Sequence, residues 1–236
     1  MKVSLLEGSR WQTCADCAVR GFAVCAALDK TELWELASLS RHIQHEQGAT
    51  VFAQATVATS FFSVLEGVLR LYKLLPDGRR QIIGFALPGD FLGLAGSPQY
   101  EFSADAIGAV TLCQFSRAGL ARFGEDRPRF LRRINELAGR ELTRANEHMV
   151  LLGRRSAEEK VASFLIGWRD RLAGIGHVGE VLPLPMGRLD IADYLGLTIE
   201  TVSRTFTKLE RDGVIRILTG GISLLDTARA EALSAA

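Results

Sequence analysis

The stretch Tyr194-Leu195-Gly196-Leu197-Thr198-Ile199-Glu200-Thr201-Val202-Ser203-Arg204 decides how the C-terminal part of this 236-residue chain folds. Just before it, Leu189, Ile191, Ala192 and Leu195 mark the apolar side of a short helix over 188–195, which Gly196 stops. Thr198 is a candidate N-cap for a second helix running to Asp212-Gly213. Two short helices joined by a glycine turn make a helix-turn-helix. Val202, Phe206 and Leu209 fall on the inner face of the second helix, leaving Glu200, Ser203, Arg204, Thr207, Lys208 and Arg211 on the face that enters a major groove.

The outward residues have base-reading chemistry. Arg204 can give both nitrogens of its fork to guanine O6 and N7, Glu200 can accept from a cytosine amine, and Ser203 is short enough to sit near a thymine. Thr201 and Lys208 complete the candidate DNA-contacting set, with Lys208 one turn beyond Arg204 as a phosphate contact. On an arbitrary helix, Glu200 and Arg204 would be a solvated ion pair one turn apart. The turn in front of them favours a reader.

Working outward, residues 214–224, with Thr219-Gly220-Gly221 as their turn, predict a two-stranded wing. Upstream, Ser156-Ala157-Glu158-Glu159 is a capping box opening a helix whose core face is Val161, Phe164, Leu165, Trp168 and Leu172. A glycine-rich loop over 174–179 follows, then Val181-Leu182-Pro183-Leu184 as a short edge strand. No glycine-rich phosphate cradle follows a strand and opens a helix there.

From Pro128 to about Leu152 the apolar period is helical. Leu131, Ala138, Leu142, Ala145, Met149 and Leu152 form a narrow seam flanked by Arg132, Arg133, Arg140 and Arg144. A seam of this width on a long helix fits pairing with a second copy. The competing possibility is a helix lying on its own β-domain.

Between about Thr50 and Phe115 the pattern is that of strands. Runs such as Phe61-Phe62-Ser63-Val64-Leu65, Val68-Leu69-Arg70-Leu71-Tyr72 and Gln81-Ile82-Ile83-Gly84-Phe85 are punctuated by Glu66-Gly67, Pro76-Asp77-Gly78 and Pro88-Gly89-Asp90. Short strands separated by turn chemistry predict an antiparallel roll or barrel. Leu28, Leu33, Leu36 and Leu39, with Asp29 as a possible N-cap, predict a short helix before it.

The chain has four cysteines: Cys14-x2-Cys17-x7-Cys25 near the N-terminus, and Cys113 almost ninety residues later. Four thiolates are the ligand count of a zinc or iron-sulfur site, and spacing does not separate the two. Taken alone, Cys113, within Val110-Thr111-Leu112-Cys113-Gln114-Phe115, reads as a small core residue. The N-terminal trio, among small and polar neighbours, reads as ligands.

At 47% hydrophobic and 23% charged, the composition is that of a globular protein, and the net charge of +1 leaves any attraction to nucleic acid to local arrangement. The opening Met1-Lys2-Val3-Ser4-Leu5-Leu6-Glu7-Gly8 breaks its apolar run early, and no segment has the apolar length of a membrane span. A cytoplasmic location with reduced thiols is expected.

These motifs resemble the CRP/FNR family of bacterial transcription regulators over nearly the whole chain, and within it the FNR (fumarate and nitrate reduction regulator) branch. Gly67, Gly78 and Pro88-Gly89-Asp90-Phe91-Leu92-Gly93 resemble the family's effector β-roll, residues 194–204 its helix-turn-helix, and Cys14, Cys17, Cys25 and Cys113 its four-iron four-sulfur ligands. The seven-residue gap before Cys25 is similar to the α-proteobacterial type. The resemblance implies an α+β fold: a cysteine-rich segment (1–27), an antiparallel, cyclic-nucleotide-binding-like β-roll (28–127), a dimerisation helix (128–155) and a winged helix-turn-helix (156–236).

It also implies an oxygen-responsive regulator, not an enzyme. When its four-iron four-sulfur cluster is intact, it would bind double-stranded DNA at TTGAT inverted repeats as a homodimer, and it would contact RNA polymerase through turns such as Pro76-Asp77-Gly78-Arg79-Arg80. Leu94 and Phe102-Ser103 stand where cyclic-nucleotide members carry a Glu and an Arg-Ser pair, so no cAMP binding is expected. His42, His45, His148 and His177 show no placement favouring a haem ligand, and Asn146 stands where oxygen sensors often have an acidic residue. A zinc- or thiol-based DNA-binding regulator without oxygen response and an iron-sulfur electron-transfer protein are the alternatives.

Overall fold

The computed structural model describes residues 14–94, 96–154, 156–177 and 179–235, so the Met1 to Gly8 stretch lies outside it. The chain divides into two compact units, Met1–Arg79 with Gly84–Thr143, and Arg80–Ile83 with Arg144–Ala236.

In the first unit the cysteine segment forms two 3-10 turns, Cys14–Asp16 and Val24–Ala27. Helix α1 (Lys30–Ser38) starts where expected. Asp29 accepts from the Glu32 N–H at 2.9 Å and the Glu32 carboxylate accepts from the Asp29 N–H at 3.0 Å, a reciprocal cap worth about 1 kcal/mol. Strands follow: β1 (Ser40–His45), β2 (Thr50–Phe52), β3 (Ser60–Glu66), β4 (Leu69–Leu74), β5 (Arg80–Ala86, of which 80–83 are grouped with the second unit), β6 (Phe91–Leu92), β7 (Ser103–Ala106) and β8 (Val110–Ser116). They form two antiparallel four-stranded sheets, β1-β8-β3-β6 and β2-β7-β4-β5. Stacked Phe52, Phe62 and Tyr100, with centroids 5.4 and 4.3 Å from Phe52, join the two sheets.

The strand region begins earlier than expected. β1 is polar and largely exposed, so it carries little β pattern, and it is held by its pairing with β8 from Ser40↔Phe115 to His45↔Val110. Gly67 (φ +81°) turns β3 into β4 where a Cβ would meet the Ala109 carbonyl oxygen at 2.4 Å.

Helix α2 (Arg117–Gly124), which the sequence pattern did not suggest, leads into α3 (Pro128–Arg154). The core of this unit gathers Leu36, Leu65, Phe91, Phe115, Leu120 and Phe123 with Phe130 and Leu137 from α3. Phe130 meets Phe123 edge to face at 5.0 Å. The two readings of α3 therefore describe two adjoining stripes on one helix. Phe130 and Leu137 are buried in their own chain, while Leu131, Leu142 and Met149 stand 45%, 64% and 63% exposed. Ala145 is also exposed, and Ala138 and Leu152 are half-buried.

In the second unit, α4 (Ala157–Gly174) opens on the expected capping box, Ser156 with Glu159, and buries Val161, Phe164, Leu165, Trp168 and Leu172. The Trp168 indole N–H donates to the Pro183 carbonyl at 2.7 Å, fixing β9 (Val181–Pro183). Helices α5 (Arg188–Leu195) and α6 (Ile199–Arg211) form the helix-turn-helix, with Gly196 left-handed at φ +61° between them. Strands β10 (Ile215–Leu218) and β11 (Gly221–Leu224) pair as expected, but the wing has three strands, because β9 pairs with β11 through Ile222↔Leu182. A last helix, α7 (Thr227–Ala235), is tied to α4 by an Arg169–Glu231 bridge of 2.8 Å. It is rich in alanine and has a weak apolar face, which explains its absence from the sequence reading. Among the described residues no helix is long and apolar enough to cross a membrane.

Candidate functional site

All four cysteines reach one cavity in the first unit. Cys14, Cys17 and Cys25 line it from the 3-10 segment and Cys113 from β8, together with Arg20, Ser63, Leu65 and Phe115. Cys113 is 7% exposed and the other three are half-buried. The segment is pinned at two places: the Phe22 ring lies on Gly89, where a Cβ would come within 2.3 Å, and the Arg133 guanidinium of α3 donates to the carbonyl oxygens of Phe22 and Ala23 at 2.5 and 3.2 Å.

The electrostatics of the cavity oppose bare thiolates. Burial, and secondarily the charge of the neighbouring cysteines, pushes Cys25 up to about 12 and Cys113 higher still. Burial raises Cys14 and Cys17 as well, against the lowering effect of Arg20. A metal centre reverses this balance, because its charge deprotonates a coordinating thiol outright. The donor set, four soft sulfurs on one cavity, fits thiolate-ligated zinc or an iron-sulfur cluster. Among the described residues, no three or more of His, Cys, Asp and Glu converge closely enough to grip one metal ion as they stand.

Ser63 was missed by sequence reasoning. It lies within an apolar strand run, and a polar residue in a buried strand was the available signal. Arg20 was missed too.

The second candidate surface is α6. Thr198 caps it, accepting from the Thr201 N–H at 3.2 Å. Val202, Phe206 and Leu209 are buried, each burial stabilising by about 1.5–3 kcal/mol. The Arg188 guanidinium lies 3.6 Å over the Phe206 ring. Glu200, Ser203, Arg204 and Lys208 are exposed and Thr201 is half-buried. The main-chain N–H of Glu200 and the Thr198 hydroxyl hold the Glu200 carboxyl below its usual range, so it is an ionised acceptor at neutral pH. Lys208 is not a free cation: it pairs with Glu158 of α4.

Comparison with known proteins bears on the two folded parts that carry these surfaces. Residues 184–215 match the model of bacterial regulatory proteins of the crp family, and residues 42–127 match that of the cyclic nucleotide-binding domain. The chain is 66% identical to the nitrogen fixation regulation protein FixK of Bradyrhizobium diazoefficiens, over 94% of each chain. It is 57% identical to the transcriptional activatory protein AadR of Rhodopseudomonas palustris, over 98% of this chain and 95% of that one. The solved structure of FixK2 from Bradyrhizobium japonicum superimposes with a TM-score of 0.78 at 36% identity, covering 84% of this chain and 98% of that one. With the helix-turn-helix, the β-roll and these relatives together, the chain belongs to the CRP/FNR family of DNA-binding transcription regulators.

Proposed function

We propose that this regulator is an oxygen-responsive activator that holds a four-iron four-sulfur cluster on Cys14, Cys17, Cys25 and Cys113 and binds TTGAT inverted repeats as a homodimer. The observation that carries the reading is the meeting of the chain's four cysteines at one cavity. When bound, the cluster supplies reactivity toward dioxygen.

The chain's own residues supply the rest. Cys113, in the sheet, and the three cysteines of the segment bind from two sides, so ligation orders the segment against the roll. Arg133 carries that order to α3 through the Phe22 and Ala23 carbonyls. The open stripe of Leu131, Ala138, Leu142, Ala145, Met149 and Leu152 pairs with its twin, setting two copies of α6 about 34 Å apart, one turn of B-DNA. Glu200, Thr201, Ser203 and Arg204 then read base edges. The turn where Asp77 holds the Arg79 side chain at 2.7 Å faces RNA polymerase. The absence of an arginine at Phe102-Ser103 argues against cAMP as effector. The activator sense follows the names of the relatives.

The test is the absorption spectrum and metal content of protein purified without air. A broad brown band near 400 nm with about four irons and four sulfides per chain is expected. A colourless protein holding one zinc would replace the reading with a zinc-stabilised regulator on the same fold.

A further inference from the structure

Ser63 has a buried hydroxyl without a partner, and it faces the thiols. The residue is 2% exposed, its Oγ makes no hydrogen bond, and it lines the cysteine cavity. On β3 it stands directly opposite Cys113 of β8, and on the other side of β8, His42 of β1 stands opposite the same cysteine. Opposed residues of antiparallel strands project to one face with Cβ atoms about 4.5–5.5 Å apart. Ser63, Cys113 and His42 therefore form a row across three strands with the cysteine in the middle.

The other lining groups do not serve the hydroxyl. None of them bonds it as folded: Ser40 turns its hydroxyl to the Ala37 carbonyl at 2.9 Å, His42 stands two strands away beyond Cys113, and the side chains of Leu36, Leu65 and Phe115 offer no acceptor. Buried hydroxyls are as a rule satisfied, and alanine would fill this place without a stranded donor. A neutral thiol is a weak acceptor, whereas a thiolate or metal-bound sulfide is a strong, charged one.

We propose that Ser63 is a positioning residue of the thiol pocket, its hydroxyl donating a hydrogen bond to an anionic sulfur there, either Cys113 Sγ or a sulfide beside it. The inference rests on the pocket being a cluster site. A donor to sulfur stabilises the more negative, reduced state, so Ser63 raises the reduction potential and slows oxidation by dioxygen.

The experiment compares full-length wild type, Ser63→Ala and Ser63→Thr, each as apoprotein and after anaerobic reconstitution with ferrous iron and sulfide. As apoprotein, Ser63→Ala melts at or above the wild-type temperature, because the deleted hydroxyl had no partner. After reconstitution, the wild type and Ser63→Thr show a shift of Fe–S stretching bands between H2O and D2O in resonance Raman spectra, and Ser63→Ala loses it. Assembly with heavy-isotope sulfide separates the two acceptors, since bands that move with the label belong to sulfide and those that do not belong to cysteine sulfur. Ser63→Ala loses its cluster in air about fivefold faster than wild type, the factor an ordinary net hydrogen bond is worth, and Ser63→Thr restores the rate. A wild type that takes up no iron and sulfide overturns the cluster reading and this one with it. A loaded Ser63→Ala with the wild-type isotope shift and decay rate overturns the role of Ser63 alone. A markedly lower apoprotein melting temperature also overturns it, by showing that the hydroxyl serves the fold.

Discussion

On α6 the candidate DNA-contacting side chains stand mostly in water and the buried groups are satisfied, whereas around the thiol pocket the cysteines are buried or half-buried and the Ser63 hydroxyl among them has no partner. Thr205 Oγ1 donates to the Thr201 carbonyl at 2.8 Å, Thr198 caps the helix, and the exposed Glu200, Ser203 and Arg204 keep their hydration. In the pocket, burial raises all four thiols. The α6 face is complete as folded. The thiol pocket carries unspent chemistry, and that is where a ligand has most to stabilise.

The contrast breaks most sharply at the ligands. Cys113→Ser should abolish iron and sulfide uptake, because a hard hydroxyl replaces a soft thiolate, and should leave the roll folded. Iron analysis beside circular dichroism checks this, and full loading of the variant would return Cys113 to the role of core filler. Leu142→Glu comes next. The side chain is exposed in the single chain, so the protomer should fold normally, while a carboxylate buried across the α3 seam costs about 3–5 kcal/mol and leaves a monomer in anaerobic sedimentation. An intact dimer would move the interface elsewhere.

On α6, Arg204→Ala and Glu200→Ala should each cost about 1–3 kcal/mol per half-site and relax preference at one base pair, measured by titrating TTGAT and a G-to-C variant site. Lys208→Ala should weaken binding to both sites equally. Because Lys208 is paired with Glu158, its salt slope should fall by less than one, and Glu158→Gln should tighten both sites by about 0.2–1 kcal/mol.

The smallest effect lies in the second unit. His148 is buried with Nε2 2.7 Å from the Tyr194 carbonyl oxygen and its ring stacked on Tyr194 at 4.1 Å, and burial holds its pKa below the usual 6.5. Below 6.5 the unfolded chain takes up a proton that the folded one resists, so stability is full above that value and falls as the pH drops through it. Melting curves between about pH 7.5 and 5.5 should show a slope that His148→Gln flattens.

The legible parts of the molecule were those whose causes are local. A cap, a glycine and a 3.6-residue period specify α5 and α6, and the capping box specifies α4, because each lies within a few residues of what it controls. β1 and the third wing strand owe their state to partners far along the chain, and α7 presents almost no apolar face. The thiol site divides along the same line. Spacing marks Cys14, Cys17 and Cys25, but Cys113 and Ser63 look like ordinary strand residues until the register of β1, β8 and β3 sets them side by side.

That register has a consequence for biosynthesis. The ribosome delivers Cys14, Cys17 and Cys25 early, and Cys113 about ninety residues later, on a strand that needs neighbours on both sides. Non-local strand pairing is among the slower steps of folding, so the nascent protein passes through a stage with three thiols in hand and no fourth. The four-thiol set becomes complete only when the central strand has found both partners. With the proposed cluster on these four cysteines, loading of the pocket would certify a finished β-roll, and a chain that stalls before that point would lack the fourth thiol.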